Sequence, residues 1–212
     1  MPTTFAAVLT GDIVKSRAIA AEDYDQLFYT LQRTLQMLTE PVDGKFDIYR
    51  GDAFQAIFTD PATAIHAALV LRLALRTANP TFDARQCIGI GNITVLRPDV
   101  RSSMGEAFVL SGTGLDQMKG TYLAVRSHHS AQQERLELVT RLMDAHLSHL
   151  SSAQAEVLMY YLLATDKSHQ AVAAAAGKNR NNVTRLLNAS RYHLVVDYLN
   201  YCQRYANEEH IV

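Results

Sequence analysis

Two cysteines in 212 residues, no excess of charge and no long apolar run remove several classes of protein before any motif is read. Cys87 falls in a strand-like run and Cys202 in a helical one. They lack metal-ligand spacing and the density of a disulfide scaffold, so both read as reduced packing residues. Lysine and arginine total 20 against 21 aspartates and glutamates, a formal charge of −1. Contact with nucleic acid must therefore come from a local basic patch and not from the overall field. No apolar run approaches the roughly 20 residues that span a bilayer, and no basic and apolar signal segment precedes the first motif. A cytoplasmic location without a membrane partner is the expectation. A P-loop is also missing, because residues 11–17 have neither the Gly-Lys-Ser/Thr tail nor its spacing. What is present is an apolar fraction of 48%, enough for a substantial core in one large or two modest domains.

Two short segments stand out. Leu9-Thr10-Gly11-Asp12-Ile13 and Tyr49-Arg50-Gly51-Asp52-Ala53-Phe54 each place an aspartate after a glycine beside an apolar strand, about forty residues apart with a helical stretch between. Carboxylates brought together at the ends of neighbouring strands repel, and a cation such as Mg²⁺ with nucleotide phosphates would neutralise them. Each Gly-Asp step alone also fits an ordinary turn. The backbone amides of residues 11–17 suit a phosphate cradle, with Lys15 and Arg17 to balance its charge.

The surrounding pattern alternates strands and helices. Residues 5–10 form a buried strand. Leu27, Leu31, Leu35 and Leu38 mark a helix from about Glu22 that Pro41 and Asp43-Gly44 stop. Phe46, Ile48, Phe54, Ala56 and Phe58 alternate about Gly51-Asp52 as a hairpin. Asp60-Pro61 opens a second helix carrying Ile65, Leu69 and Leu73 and ending near Asn79-Pro80. A strand over 85–95 follows, whose Gly89 and Gly91 weaken it unless another group must approach the backbone. A short helix within 105–119 and a strand over 121–125 complete the unit. The order β-α-β-β-α-β-α-β predicts an α+β, ferredoxin-like antiparallel sheet with helices on one face, leaving the opposite face for a ligand or partner.

Strand signals cease near Ser130. Residues 132–149 read as a connecting helix, and three helices follow: one capped by Ser151, a short alanine-rich one over 168–176 closed by Gly177, and a longer one from Asn181. A short helix, a glycine turn and a second helix form the helix-turn-helix pattern. The second helix carries Lys178, Asn179, Arg180, Asn181, Asn182, Thr184 and Arg185, a set suited to base edges and phosphates, while Val172, Val183, Leu186 and Leu187 supply the buried side. A solvated, amide-rich helix start is the plainer reading of the same residues. The adjacent His128 and His129 point apart and read as linker residues.

Taken with their order, Asp12-Ile13, Gly51-Asp52, the strand Ile88-Gly89-Ile90-Gly91 and the step Met104-Gly105-Glu106 resemble the class III nucleotide cyclase homology fold. The two-part chain is similar to the SatD family. The resemblance implies a cyclase-like domain over 1–128, a connecting helix over 129–149 and an all-α helix-turn-helix domain over 150–212. It also implies a nucleotide site at Gly11, Asp12, Ile13, Lys15, Arg17, Arg50, Gly51 and Asp52, with Asp12 and Asp52 as Mg²⁺ ligands, and a homodimer. The cyclases place an Asn and an Arg one turn apart on the helix after the last glycine, where residues 108–115, Phe-Val-Leu-Ser-Gly-Thr-Gly-Leu, offer neither. Lys15, Arg17 and Lys119 do not match those positions, and Gly112 and Gly114 each weaken a helix by about 1 kcal/mol. Ligand binding survives that loss better than turnover. The expectation is a DNA-binding regulator that senses a nucleotide or cyclic nucleotide. A metal-dependent nucleotidyl cyclase or other phosphoryl-transfer enzyme, and a ligand-independent dimerisation scaffold, remain as alternatives.

Overall fold

The first apolar run becomes a ten-residue strand, β1 (Thr4–Ile13), in the computed structural model, which describes residues 4–49 and 51–207. There follow α1 (Ala21–Thr39), β2 (Lys45–Tyr49), β3 (Ala53–Phe58), α2 (Pro61–Ala78), β4 (Ala84–Val95), the two-residue β5 (Met104–Gly105), α3 (Glu106–Gln117) and β6 (Leu123–Ser127). Five helices complete the described chain: α4 (Ser130–Ser148), α5 (Ser152–Leu163), α6 (His169–Ala175), α7 (Arg180–Ala189) and α8 (Tyr192–Tyr205). The sheet order is β2-β3-β1-β4-β5, with β6 also paired to β4. Neighbours along β2-β3-β1-β4-β5 are antiparallel, and β6 runs parallel to β4. This is the split βαββαβ arrangement with one further helix and two further strands, a mixed α+β fold.

Alternation along the strands sends side chains to two faces. Leu9, Ile13, Phe54, Phe58, Ile88 and Ile90 pack with α1 and α2 in the main core. Ala6, Val8, Ile57 and Ile93 lie on the other face with Ala107 of α3. Here the expectation of helices on one face alone is corrected, because α3 covers part of the second face. Glycine at 89 permits this: a Cβ there would overlap the Ala107 carbonyl oxygen and lie 2.5 Å from the Ser111 nitrogen. The helix runs unbroken through Gly112 and Gly114, and Gly114 sits against Cys87 and the Arg126 stem.

Asp60 caps α2 through Thr63 N–H at 3.1 Å, with Pro61 in the first turn. This helix is apolar around most of its circumference because the sheet packs on one side and α5 and α8 on the other. Leu136, Leu158, Leu162, Val195 and Tyr198 accordingly share one core cluster with the sheet residues. Within the C-terminal segment, α5, α6 and α7 also enclose a smaller core of Val157, Val172, Ala173, Val183, Leu186 and Leu187.

A buried arginine ties these layers together. Arg72 of α2 donates to Asp83 (2.8 and 3.1 Å), to Asp144 of α4 (2.6 Å) and to Ser148 (2.9 Å), and its guanidinium lies 4.7 Å from the Tyr122 ring centroid. The long helix expected from Asn181 is two helices. Arg191 takes a left-handed φ of 51° between them, where buried Ser190 donates to Leu187 O and its carbonyl meets His146 Nε2 at 2.9 Å. Among the described residues no helix is long and apolar enough to cross a membrane.

Candidate functional site

The strand at residues 5–10 continues through Gly11, Asp12 and Ile13, so Asp12 projects from within β1 and not from a loop after it. Register sets it opposite Ala53 on one side and Arg85 on the other. Asp12 and Arg85 form a fork, Nε to Oδ1 at 2.9 Å and Nη2 to Oδ2 at 2.5 Å. The hydrogen bond to Asp12 raises the guanidinium above its ordinary pKa, opposed by partial burial and reinforced by the charges of Asp12 and Asp116.

Asp52 lies in the β2–β3 turn, which Ile13 N–H holds against β1 by donating to Asp52 O at 2.8 Å. Its carboxylate accepts the Ser16 hydroxyl at 2.6 Å. Gly51 takes a φ of +78°, and Tyr24 Oη donates to its carbonyl at 3.0 Å; a Cβ there would collide with that hydroxyl. The turn and the start of α1 are thus locked together, and the two Gly-Asp steps do converge at one end of the sheet. Lys15, left-handed at φ 53°, and Arg17 are exposed beside them. Two members of the expected set have other duties. Ile13 is buried in the core, and Gly11 lies under Phe54, whose ring leaves no room for a Cβ. Arg50 lies outside the described residues.

Both oxygens of Asp12 are taken by a guanidinium, which supplies the positive charge that the paired carboxylates need. Among the described residues no three His, Cys, Asp or Glu side chains converge as a metal site. The Arg85 fork occupies the Asp12 carboxylate that the expected Mg²⁺ site at Asp12 and Asp52 would use. Sequence reading missed Arg85 because its partner is set by strand register, which no local pattern carries.

At the other end of the chain, Ser168 caps α6 through Ala171 N–H at 3.2 Å, and Gly177 takes a φ of +61° in the turn to α7. The expected contact residues divide into two groups. Lys178 pairs with Glu156 at 2.9 Å, Asn179 caps α7 through Asn181 N–H at 2.8 Å, and Thr184 meets His169 Nδ1 at 2.8 Å. Arg180, Asn181, Asn182 and Arg185 are exposed on α7, Arg185 reaching Asn182 Oδ1 at 2.9 Å.

No family model matches the chain, and no curated protein matches it by sequence. Solved structures similar to it are nucleotide cyclases. A bacterial light-regulated adenylyl cyclase is 14% identical over 59% of this chain and 77% of its own, with a TM-score of 0.47. The guanylyl cyclase Cya2 is 15% identical over 58% and 75%, with a TM-score of 0.43. The adenylyl cyclase CyaB from P. aeruginosa is 15% identical over 59% and 79%, with a TM-score of 0.44. The fold described above rests on this chain's own strand order and register.

Proposed function

We propose that this chain is a DNA-binding transcriptional regulator whose α5–α7 unit reads DNA and whose sheet unit binds a nucleotide or cyclic nucleotide without turning it over. The observation that carries the reading is the exposed set Arg180, Asn181, Asn182 and Arg185 along α7, presented by a short helix and glycine turn with a core of their own. Arginine forks suit guanine edges and phosphates, and asparagine amides suit adenine. A helix so presented matches the way a recognition helix enters the major groove, and a homodimer would set two such helices on two half-sites. The SatD-like order of the two parts agrees with this division.

For the sheet unit, exposed Lys15 and Arg17 beside the Gly51-Asp52 turn support contact with phosphates. The Arg85 fork on Asp12, and a helix over 106–117 without Asn or Arg, favour binding over catalysis. Anisotropy titration of a labelled mixed-sequence duplex between 50 and 200 mM salt tests the DNA half. Arg180→Ala and Arg185→Ala are each expected to weaken binding and to lower the log–log salt slope by about 1 where the lost contact is to phosphate. Binding by both variants equal to that of the parent would overturn the reading. A thermal-shift screen with nucleotides and cyclic nucleotides tests the other half, and no shift with any of them would leave a dimerisation scaffold.

A further inference from the structure

After α3 the chain turns through Gly120, φ +70°, into β6, and α4 then packs along β6. Between these three elements lies a cavity of about 220 Å³. Its walls bring together Lys119 beyond the end of α3, Arg126 on β6 and Arg141 on α4, with a single carboxylate, Glu137. Arg126 stands 3.6 Å from Glu137 and donates to the Val125 carbonyl at 3.1 Å. Among the described residues Lys119 and Arg141 enter no ion pair. Three cations around one small cavity repel one another, and one carboxylate offsets only part of that repulsion. Lys119 has a local reason for its place, the negative end of α3. Arg126 and Arg141 come from other elements and have only the one carboxylate, Glu137, near both of them. The Arg126 stem is moreover accommodated by shape, since a Cβ at Gly114 would lie 2.8 Å from its Cγ.

We propose that this cavity binds a phosphate group, as inorganic phosphate or on a small phosphomonoester. The net charge of its walls, +2 from Lys119, Arg126, Arg141 and Glu137, matches a phosphate dianion. Guanidinium forks from two directions recognise its oxygens, and Thr121 and Gln117 add neutral donors. The volume takes a phosphate and a small body. No residue is shared with the Asp12 and Asp52 site, so the two sites are separable. A bound phosphate would bridge Arg126 on the sheet and Arg141 on the helix that leads to α5.

Isothermal titration of the full chain with inorganic phosphate, and separately with glycerol phosphate and a nucleoside monophosphate, at constant ionic strength tests the site. Saturable binding is expected in the parent chain and in Asp52→Asn, weakened at least tenfold in Arg141→Glu and in Lys119→Ala. Both substitutions lie on exposed side chains, and circular dichroism checks that each variant folds; if Arg141→Glu does not, Lys119→Ala decides. A monoester that binds tenfold more tightly than phosphate assigns the site to a phosphorylated metabolite, and equal affinities assign it to the ion. No saturable binding of any of the three by the parent chain, or unchanged binding by the folded variants, would overturn the proposal.

Discussion

Replacing Arg72 by methionine keeps much of the side-chain volume and removes the cation that bridges Asp83 and Asp144. Arg72 is fully buried, and the side chains of its two acidic partners are only 14% and 6% exposed. Taking away one partner of a buried pair leaves an uncompensated charge, at a cost of about 3–5 kcal/mol. Some contacts survive: Asp144 keeps the Tyr122 N–H at 3.0 Å, and Asp83 keeps Arg76 at 3.5 Å and the Ala84 N–H at 2.9 Å. The expected loss therefore sits at the low end, about 3 kcal/mol, a large share of the roughly 5–15 kcal/mol that holds a domain together. Urea unfolding followed by circular dichroism measures it. For a chain of this size the melting temperature should fall by about 6–12 °C. A double-mutant cycle with Asp144→Asn isolates the pair, and coupling of about 2 kcal/mol is expected. A loss under about 1 kcal/mol, or additive single effects, would refute the claim that this guanidinium clamps α4 onto the sheet unit.

Three further outcomes follow from the same geometry. Arg85→Gln frees both oxygens of Asp12, so Mn²⁺ should stabilise this variant by about 1.4 kcal/mol at ten times its dissociation constant and leave the parent unmoved; equal melting shifts would contradict the reading. Burial pushes the His66 imidazole below its usual 6.5, so the unfolded chain takes up a proton that the folded chain resists. Stability should fall as pH drops below about 6.5, and His66→Gln should flatten that slope in pH-dependent unfolding. Burial likewise raises the Cys87 and Cys202 thiols to about 12, so a thiol reagent at pH 8 should label neither until the chain is unfolded; rapid native labelling would place one of them at the surface.

Local chemistry made much of the architecture readable. The Asp60-Pro61 start, the Ser151 cap with its reciprocal Gln154, the Gly177 turn and the leucine stripe of α1 each name their own position in sequence. What could not be read depends on partners distant in the chain. Arg72 sits in an apolar helix, and only the docking of α4 supplies its carboxylate at Asp144. Arg85 meets Asp12 through a strand register that spans 73 residues. The placement of α3 on the second face depends on which way Gly89 points, and the break at Arg191 depends on the burial of Ser190. At the candidate site the convergence of the two Gly-Asp steps was legible, whereas the neutralising group between the strands was not.

The proposed function stands or falls on sequence-selective DNA binding by α7. Selection from a random duplex pool by the full chain, followed by affinity measurement on the enriched sequence, tests it most directly. An enriched motif is expected, with a loss of about 1–3 kcal/mol in affinity for Arg180→Ala or Arg185→Ala where the residue contacts a base and a relaxed preference at that position. A pool that enriches no sequence, or an enriched duplex that both variants bind as tightly as the parent, would contradict it.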